Sequence, residues 1–295
     1  MAELRELRDE DADAVAALFL EAWGESRRMD GGEIREWLRN EALKPENLCV
    51  LVEDGAVVGY VDIWIAAGTV DIDAAAPGRW AEVFDWAETQ AREQGVARAR
   101  TFFVEGHDLE GFVTGRGYRA IRASYTMEIE LDEASPPAPA AIDGIEIRTY
   151  RPEDDEQRTY EAQEESFEDA WGHNPQPIET WREFSVKQLD FDASLWFLAL
   201  DGDEVAGLCL NFPERSGDPG YGWVGTLGVR RPWRRRGVGE ALLRHSFRAL
   251  HDRGQRRVRL SVDAESPTGA TRLYERAGMR VIRQLNTWQL RLDAE

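Results

Sequence analysis

Lysine is nearly missing from this chain. Lys44 and Lys187 are the only two, so almost every positive charge is a guanidinium. Basic residues are also outnumbered, 36 against 56 acidic, for a net charge of -20 at pH 7. That deficit argues against nucleic-acid partners, because holding a phosphate backbone takes a basic surface that releases counterions. It argues equally against docking on anionic lipid. Apolar runs are short: nothing approaches the roughly 18 residues that cross a bilayer as a helix. The start, Met1-Ala2-Glu3-Leu4-Arg5-Glu6, has no apolar segment of a secretory signal, so a cytoplasmic location is expected. Cysteine is scarce: Cys49 and Cys209 each sit in an apolar run that reads as a strand. Two isolated thiols so placed read as packing residues, and no metal site is expected.

What is present is an ordinary globular composition, 295 residues of which 42% are hydrophobic, long enough for about two domains. The segment Ala134-Ser135-Pro136-Pro137-Ala138-Pro139-Ala140-Ala141 can continue neither a helix nor a central strand. It divides the chain into a first domain of residues 1–133, a linker of 134–143 and a second domain of 144–295.

The two pieces resemble each other. Residues 4–8 and 145–148 are short strands of alternating apolar residues, and each precedes an acidic helical segment ending in Ala-Trp-Gly, at Ala22-Trp23-Gly24 and Ala170-Trp171-Gly172. Each then gives a hairpin through an Asp-Gly turn, one at Asp54-Gly55 and one at Asp201-Gly202. Toward each end a helix closes on Gly117-Tyr118 or Gly278-Met279, and a last strand follows. Strands with helices interleaved, repeated once, imply two copies of one α/β domain; chance likeness between two α/β domains is the alternative.

The copies differ at one turn. In the second, a strand over 223–229 runs into Arg230-Arg231-Pro232-Trp233-Arg234-Arg235-Arg236-Gly237-Val238-Gly239, then a helix from Glu240 to about Arg253. Leu243, Phe247 and Leu250 form its apolar face. Gly237 and Gly239 let backbone approach a ligand, and the first amides of the helix are unpaired donors at its positive end. A strand, a glycine loop and a helix start make an anion site, to which five arginines add charge. The spacing is that of neither a nucleotide P-loop nor a dinucleotide fingerprint, and a plain structural turn is the competing reading.

Downstream, a strand over 257–262 leads to Asp263, and Ser266-Pro267 reads as a helix start, an N-cap and first turn. Ala270, Leu273 and Ala277 share a face, with Gly278 at the C-cap. Tyr274, beside that face, reads alone as a core tyrosine with its hydroxyl at the rim.

Together these two segments resemble the GNAT N-acetyltransferase superfamily. Its loop pattern, Arg/Gln-x-x-Gly-x-Gly/Ala, is met by Arg234, Gly237 and Gly239. Its second pattern, Ala-x-x-Leu-Tyr-x-x-x-Gly-Phe, is met by Ala270, Leu273, Tyr274 and Gly278, with Met279 in place of Phe. The resemblance is close from about Ile145 onward and looser before it. Two such domains in one chain are similar to the mycothiol synthase group, which acetylates a cysteinyl amino sugar. The implied fold is α/β (α+β): two tandem GNAT-like domains, each a mixed, mostly antiparallel sheet flanked by helices.

The resemblance also implies acetyl-CoA as co-substrate. Leu227, Gly228 and Val229 would meet its acetyl and pantetheine groups on a strand that splays from the next. Arg234, Arg235, Arg236, Gly237, Val238 and Gly239 would hold its pyrophosphate, with Ser266 and Thr271 also against the cofactor. Tyr274 would be the general acid for the leaving thiolate, a role that suits a phenol within hydrogen-bond reach.

The family's strand carboxylate, which deprotonates the substrate amine, has no counterpart in Trp223-Val224-Gly225-Thr226-Leu227-Gly228-Val229. Glu165 and Glu168 are the catalytic candidates in its place, with Asp169, Trp171, Trp223 and Asp263 as substrate-binding candidates. Glu214 and His173 are further possible bases, while each carboxylate also reads as a solvated charge in an acidic protein. His107, His245 and His251 read as surface residues. The first copy has lost the machinery: residues 69–82 contain no Gly-x-Gly, and Val113 stands four residues before Gly117.

The expected activity is acetyl transfer from acetyl-CoA to a primary amine of a small molecule, with the C-terminal domain catalytic. A non-catalytic CoA-binding sensor or interaction module is the alternative, and aminoacyl transfer from a charged tRNA is disfavoured by the charge. The oligomeric state stays open; a monomer fits, since the repeat can supply its own pseudo-dimer.

Overall fold

The structure is a computed structural model describing residues 2–134, 136–213 and 220–292. In chain order its elements are β1 (Glu3–Glu6), α1 (Ala12–Trp23), α2 (Gly31–Arg39), β2 (Leu48–Glu53), β3 (Ala56–Ala66), β4 (Thr69–Ala75), α3 (Trp80–Glu93), β5 (Arg98–Val104), α4 (Leu109–Gly115) and β6 (Arg119–Glu130). The second half contributes β7 (Glu146–Thr149), α5 (Pro152–Phe167), α6 (Ile178–Glu183), β8 (Trp196–Asp201), β9 (Glu204–Phe212), β10 (Gly222–Val229), α7 (Val238–Asp252), β11 (Arg257–Asp263), α8 (Ala270–Arg276) and β12 (Arg280–Arg291).

The chain folds as two compact units, Met1–Ala123 with Leu285–Glu295, and Ser124–Gln284. In unit 1, β1-β2-β3-β4 form an antiparallel sheet, β4 meets β5 in parallel, and residues 285–291 of β12 pair antiparallel with β5. Unit 2 repeats the order: β7-β8-β9-β10 antiparallel, β10 parallel to β11, and residues 124–130 of β6 antiparallel to β11. A division of the sequence at 134–143 assigns β6 to the first half and β12 to the second. In the structure most of each of these strands lies in the other unit. Hydrogen bonding to β5 and β11 decides membership, and pairing across such distances leaves no local mark in the sequence. Between them, residues 136–141 form no helix or strand.

The two faces of the unit 2 sheet have separate cores. On one, Cys209, Val224, Leu260 and Met127 pack against Val238, Leu242, Phe247 and Leu250 of α7 and Tyr274 of α8. On the other, Trp196, Leu198, Leu208 and Leu210 pack against Ala162 of α5 and Trp181 of α6. α5 opens with Pro152 at its first turn, then Glu153, Asp154 and Asp155, a start suited to the helix dipole.

Both cysteines are buried and free. The histidines are less exposed than expected: His251 is buried, His107 bonds the Ala22 carbonyl beside Trp23, and His245 packs edge-on to Phe197. Among the described residues no helix is long and apolar enough to cross a membrane, and no cluster of potential metal ligands occurs.

Candidate active site

The site grows from the way β10 leaves its neighbour. Only Gly222, Trp223 and Val224 pair with β11, against Val258, Arg259 and Leu260. Beyond them β10 stays bonded to β9 through Val229, with a register shift around Gly225. The strands therefore part like a fork, and the stretch containing Leu227, Gly228 and Val229 is no longer in register with β11. α5 closes the back of the fork. A Cβ on Gly228 would stand 2.9 Å from the Ser166 Cβ and 3.3 Å from the Phe167 ring, so this position admits no side chain.

The loop after β10 turns through Arg235, held at φ 63°, and Gly237, at φ 86°. Gly237 is the N-cap of α7, and no side chain caps the helix. Its first amides, on Val238 and Gly239, belong to the orphan donors of a helix start. The helix begins two residues before the expected Glu240, because a left-handed glycine lets the chain enter it directly. Gly239 joins the two motif segments: a Cβ there would lie 3.2 Å from Leu273 of α8 and 3.4 Å from Val229.

The loop arginines divide into two sets. Arg230 donates to Glu165 at 2.6 Å, Arg231 to Asp169 at 2.5 Å, and Arg231 stands 3.3 Å from Glu168. Arg234 bonds the Val229 carbonyl, the Ser166 carbonyl and Asp169, each at 3.0 Å. These contacts pin the loop to the end of α5. Arg235 and Arg236 are exposed; Arg236 stands 3.5 Å from Asp201, and Arg235 makes no ion pair among the described residues. Exposed guanidiniums, orphan amides and a glycine cap together suit a pyrophosphate, and the fork suits an extended arm beside a strand. The residues present fit acetyl-CoA.

Three of the carboxylates singled out from the sequence are thus arginine partners. Hydrogen bonds from Arg231 and then Arg234 pull Asp169 down to about 2, leaving it no affinity for a proton at neutral pH. Spacing along the chain revealed their number but not their partners. Ser166, absent from the candidates, touches both Gly228 and Arg234; its only signal was a small residue one turn after Ala162.

Tyr274 lies on the α7/α8 side of the sheet, 7% exposed. Burial raises its phenol above the ordinary value, with the nearby Cys209 adding to the effect. Its hydroxyl makes no hydrogen bond among the described residues. A proton held on an unpartnered phenol is available to an incoming group. Ser266 is not the helix start that its sequence suggests. α8 starts at Ala270 with Gly269 as N-cap, and Ser266 and Thr268 instead bond each other in the preceding turn. Gly269, at φ 73°, sets the start in place of Ser266-Pro267.

On the opposite face, Asp263 ends β11 and accepts the Glu265 amide at 3.1 Å. Trp223 packs partly into the α5/α6 core, and Trp171 is exposed. His173 stands 3.5 Å from Glu164 of α5. Glu214 lies outside the described residues.

Comparison with known proteins bears on the family. Residues 156–279 match the acetyltransferase (GNAT) family. A mycothiol acetyltransferase of Geodermatophilus obscurus is 30% identical over 249 residues, covering 76% of each protein. Among solved structures, a GCN5-related N-acetyltransferase from Sphaerobacter thermophilus is 31% identical with a TM-score of 0.76, covering 99% of this chain and 96% of that one. A tandem GNAT protein of the clavulanic acid biosynthesis pathway, 16% identical, shares the fold over all of both chains with a TM-score of 0.76. A fork between parallel strands, an open glycine-capped helix and a tyrosine on the next helix thus occur in a chain that belongs to the GNAT acetyltransferase family.

Proposed function

We propose that unit 2 binds acetyl-CoA across the β10–β11 fork and passes its acetyl group to a primary amine of a small molecule. The cofactor supplies an acetyl group activated as a thioester, and the amine attacks it directly. The observation that carries this reading is the conjunction of the fork with the uncapped Gly237 helix start and the unpartnered Tyr274 hydroxyl. The amides of Val238 and Gly239, with Arg235 and Arg236, hold the pyrophosphate. Leu227, Gly228 and Val229 align the pantetheine arm, and Ser266 and Thr271 line its outer side. Tyr274 gives its proton to the departing thiolate. Arg234 is the staple that keeps the loop against α5.

The acceptor side belongs to the α5/α6 face, with Trp171 and Trp223 as walls and Asp263, at the end of β11, as its carboxylate. Glu165, Glu168 and Asp169 act through the loop arginines. The likeness to mycothiol acetyltransferases supports a small-molecule acceptor. The absence of an acid on β10 favours the second reading, a CoA-binding module without turnover. Titration calorimetry with acetyl-CoA should give one site per chain, and a panel of primary amines should release CoA thiol. Binding without thiol release across the panel would favour the module; two equivalent sites would remove the assignment to unit 2.

A further inference from the structure

The segment between β6 and β7, which the acetyl-transfer reading leaves unused, runs the length of α7. Just past β6, the Leu131 amide donates to the Arg256 carbonyl at 2.8 Å, beyond the C-terminal end of α7. The Glu133 carbonyl lies 3.3 Å from the His251 Nε2, and Arg248 donates to the Pro136 carbonyl at 2.7 Å. Pro139, Ala140 and Ala141 come next, and with His245 they line a cavity of about 160 Å³. His251, Arg248 and His245 are three residues apart in turn, so they form one stripe along the helix. The segment follows that stripe from the end of α7 back toward its start.

It ends beside the helix start. Ile142 packs against the core cluster that contains Val238, the first residue of α7. A Cβ on Gly237 would meet one atom within 4 Å, the Ile142 Cδ1, at 3.9 Å. Ile142 is itself held: its carbonyl accepts the Ile145 amide at 3.1 Å, and the two residues pair as a short bridge just before β7. Pro136, Pro137 and Pro139 restrict the segment before it folds, so less entropy is lost when it lies against the helix.

Gly237 is where such a support takes effect. Arg230, Arg231 and Arg234 fasten the first half of the loop to α5. Gly237 lies beyond them, no side chain caps its helix, and glycine takes positive and negative φ about equally well. The direction of the Val238 and Gly239 amides depends on its φ of 86°. Donors aimed before a ligand arrives bind it more tightly, because less ordering is left for the binding step. An aliphatic group beside the glycine limits its freedom without adding a charge or a competing hydrogen bond.

We infer that residues 136–142 are a strap on the cofactor loop, with Ile142 a positioning residue that holds Gly237 and the amides after it ready for the pyrophosphate of acetyl-CoA. The inference rests on acetyl-CoA binding in unit 2. Its test is titration calorimetry with acetyl-CoA on the full chain and three variants, with the unfolding midpoint read on the same samples. Ile142→Ala should raise the Kd about fivefold or more. Ile142→Leu, which keeps a δ carbon, should restore most of the affinity. Ile147→Ala is the control, since Ile147 lines the same cavity and is not within 4 Å of the Gly237 position. It should lower the midpoint as much as Ile142→Ala does and leave the Kd unchanged. Coupling between two sites is reciprocal, so acetyl-CoA should slow exchange of the Ile145 amide in the parent chain by about threefold or more. Unaltered affinity in Ile142→Ala, an equal loss in Ile147→Ala, or unaltered exchange at Ile145 overturns the strap and leaves the cofactor assignment standing. Should Ile142→Ala fail to fold, the exchange measurement on the parent decides. A parent chain that binds no acetyl-CoA overturns the cofactor assignment and the strap together.

Discussion

Arg5 grips Asp11 in unit 1 through two hydrogen bonds of 2.7 and 2.8 Å, and Arg148 grips Asp155 in unit 2 through two of 2.6 and 2.8 Å. Each carboxylate also accepts a backbone amide, that of Arg8 or Arg151. The anchor of the first helix to the first strand is therefore the same device twice. The fork is shared too, since β4 pairs with β5 only at Val70 and Asp71. Beyond the fork the two units differ. In unit 1 the turn into α3 has no Gly-x-Gly, and Arg79 at its N-cap is tied to Glu53 and Glu82. The Trp23 indole donates to the Ala74 carbonyl on the splayed end of β4 at 3.0 Å. Val113, where unit 2 has Tyr274, is fully buried.

On the helix side of β3 and β4, Asp62 and Asp73 are cross-strand partners served by a single guanidinium, Arg27, which bonds Asp73 at 2.5 and 2.6 Å. Burial, with Asp73 beside it, pushes Asp62 up to about 8. Unit 1 thus keeps the anchor and the fork, and its own ion pairs and indole hydrogen bond lie beyond them.

The largest expected contrast is in cofactor binding. Gly237→Glu should abolish acetyl-CoA stabilisation, because it places a like charge beside the pyrophosphate. The left-handed φ of 86° also strains any side chain, so the apo midpoint should fall by the equivalent of about 1 kcal/mol. Gly237→Ala carries the strain without the charge and is the control; retained stabilisation in Gly237→Glu would remove the loop from the site.

Tyr274→Phe comes next. Turnover should fall by roughly 10²–10⁴ with acetyl-CoA affinity nearly unchanged. Since the hydroxyl has no partner among the described residues, the unfolding midpoint should hold within about 0.5 kcal/mol. Near-normal turnover would show that the thiolate leaves unprotonated or takes its proton from water.

The paired anchors test whether the repeat is energetic as well as geometric. Asp155→Ala leaves Arg148 and Arg158 without their partner and should cost about 3–5 kcal/mol in urea unfolding. Asp11 serves one buried contact fewer, and Asp11→Ala should cost about half as much. Burial works to raise Asp155, but the hydrogen bonds from Arg148 and Arg158 prevail and hold it at about 2. Its contribution is therefore full above its unfolded value of 3.8 and is lost as pH falls toward 2. Equal costs for the two variants would break the ranking.

Asp62 should show the smallest effect, with the opposite sign. Its folded pKa is raised, so the folded state holds a proton that the unfolded state gives up. Stability should therefore decline as pH climbs from about 4 to about 8. Asp62→Asn should remove that slope, leaving the variant more stable than the parent at pH 9 with little change near pH 4. An unchanged slope would place the titration elsewhere.

Much of this protein is legible along the chain. Both Asp-Gly hairpins, the apolar face of α7 at Leu243, Phe247 and Leu250, and the turn at Gly237 and Gly239 obey local rules. Turn glycines, period-two strands and helical spacing act between neighbours in the chain, and their marks are local. Other features exist only in the folded molecule. Whether Glu165 and Asp169 are bases or clamps depends on which arginines stand within 3 Å of them, a contact spanning more than sixty residues. That the Tyr274 hydroxyl has no hydrogen-bond partner among the described residues is likewise a property of the fold. The start of α8 passed from Ser266 to Ala270 because Gly269 could take a left-handed turn that Pro267 could not. The membership of β6 and β12 was settled by hydrogen bonding to β5 and β11. Pairing and burial are properties of approach in space, and no local pattern in the chain records them.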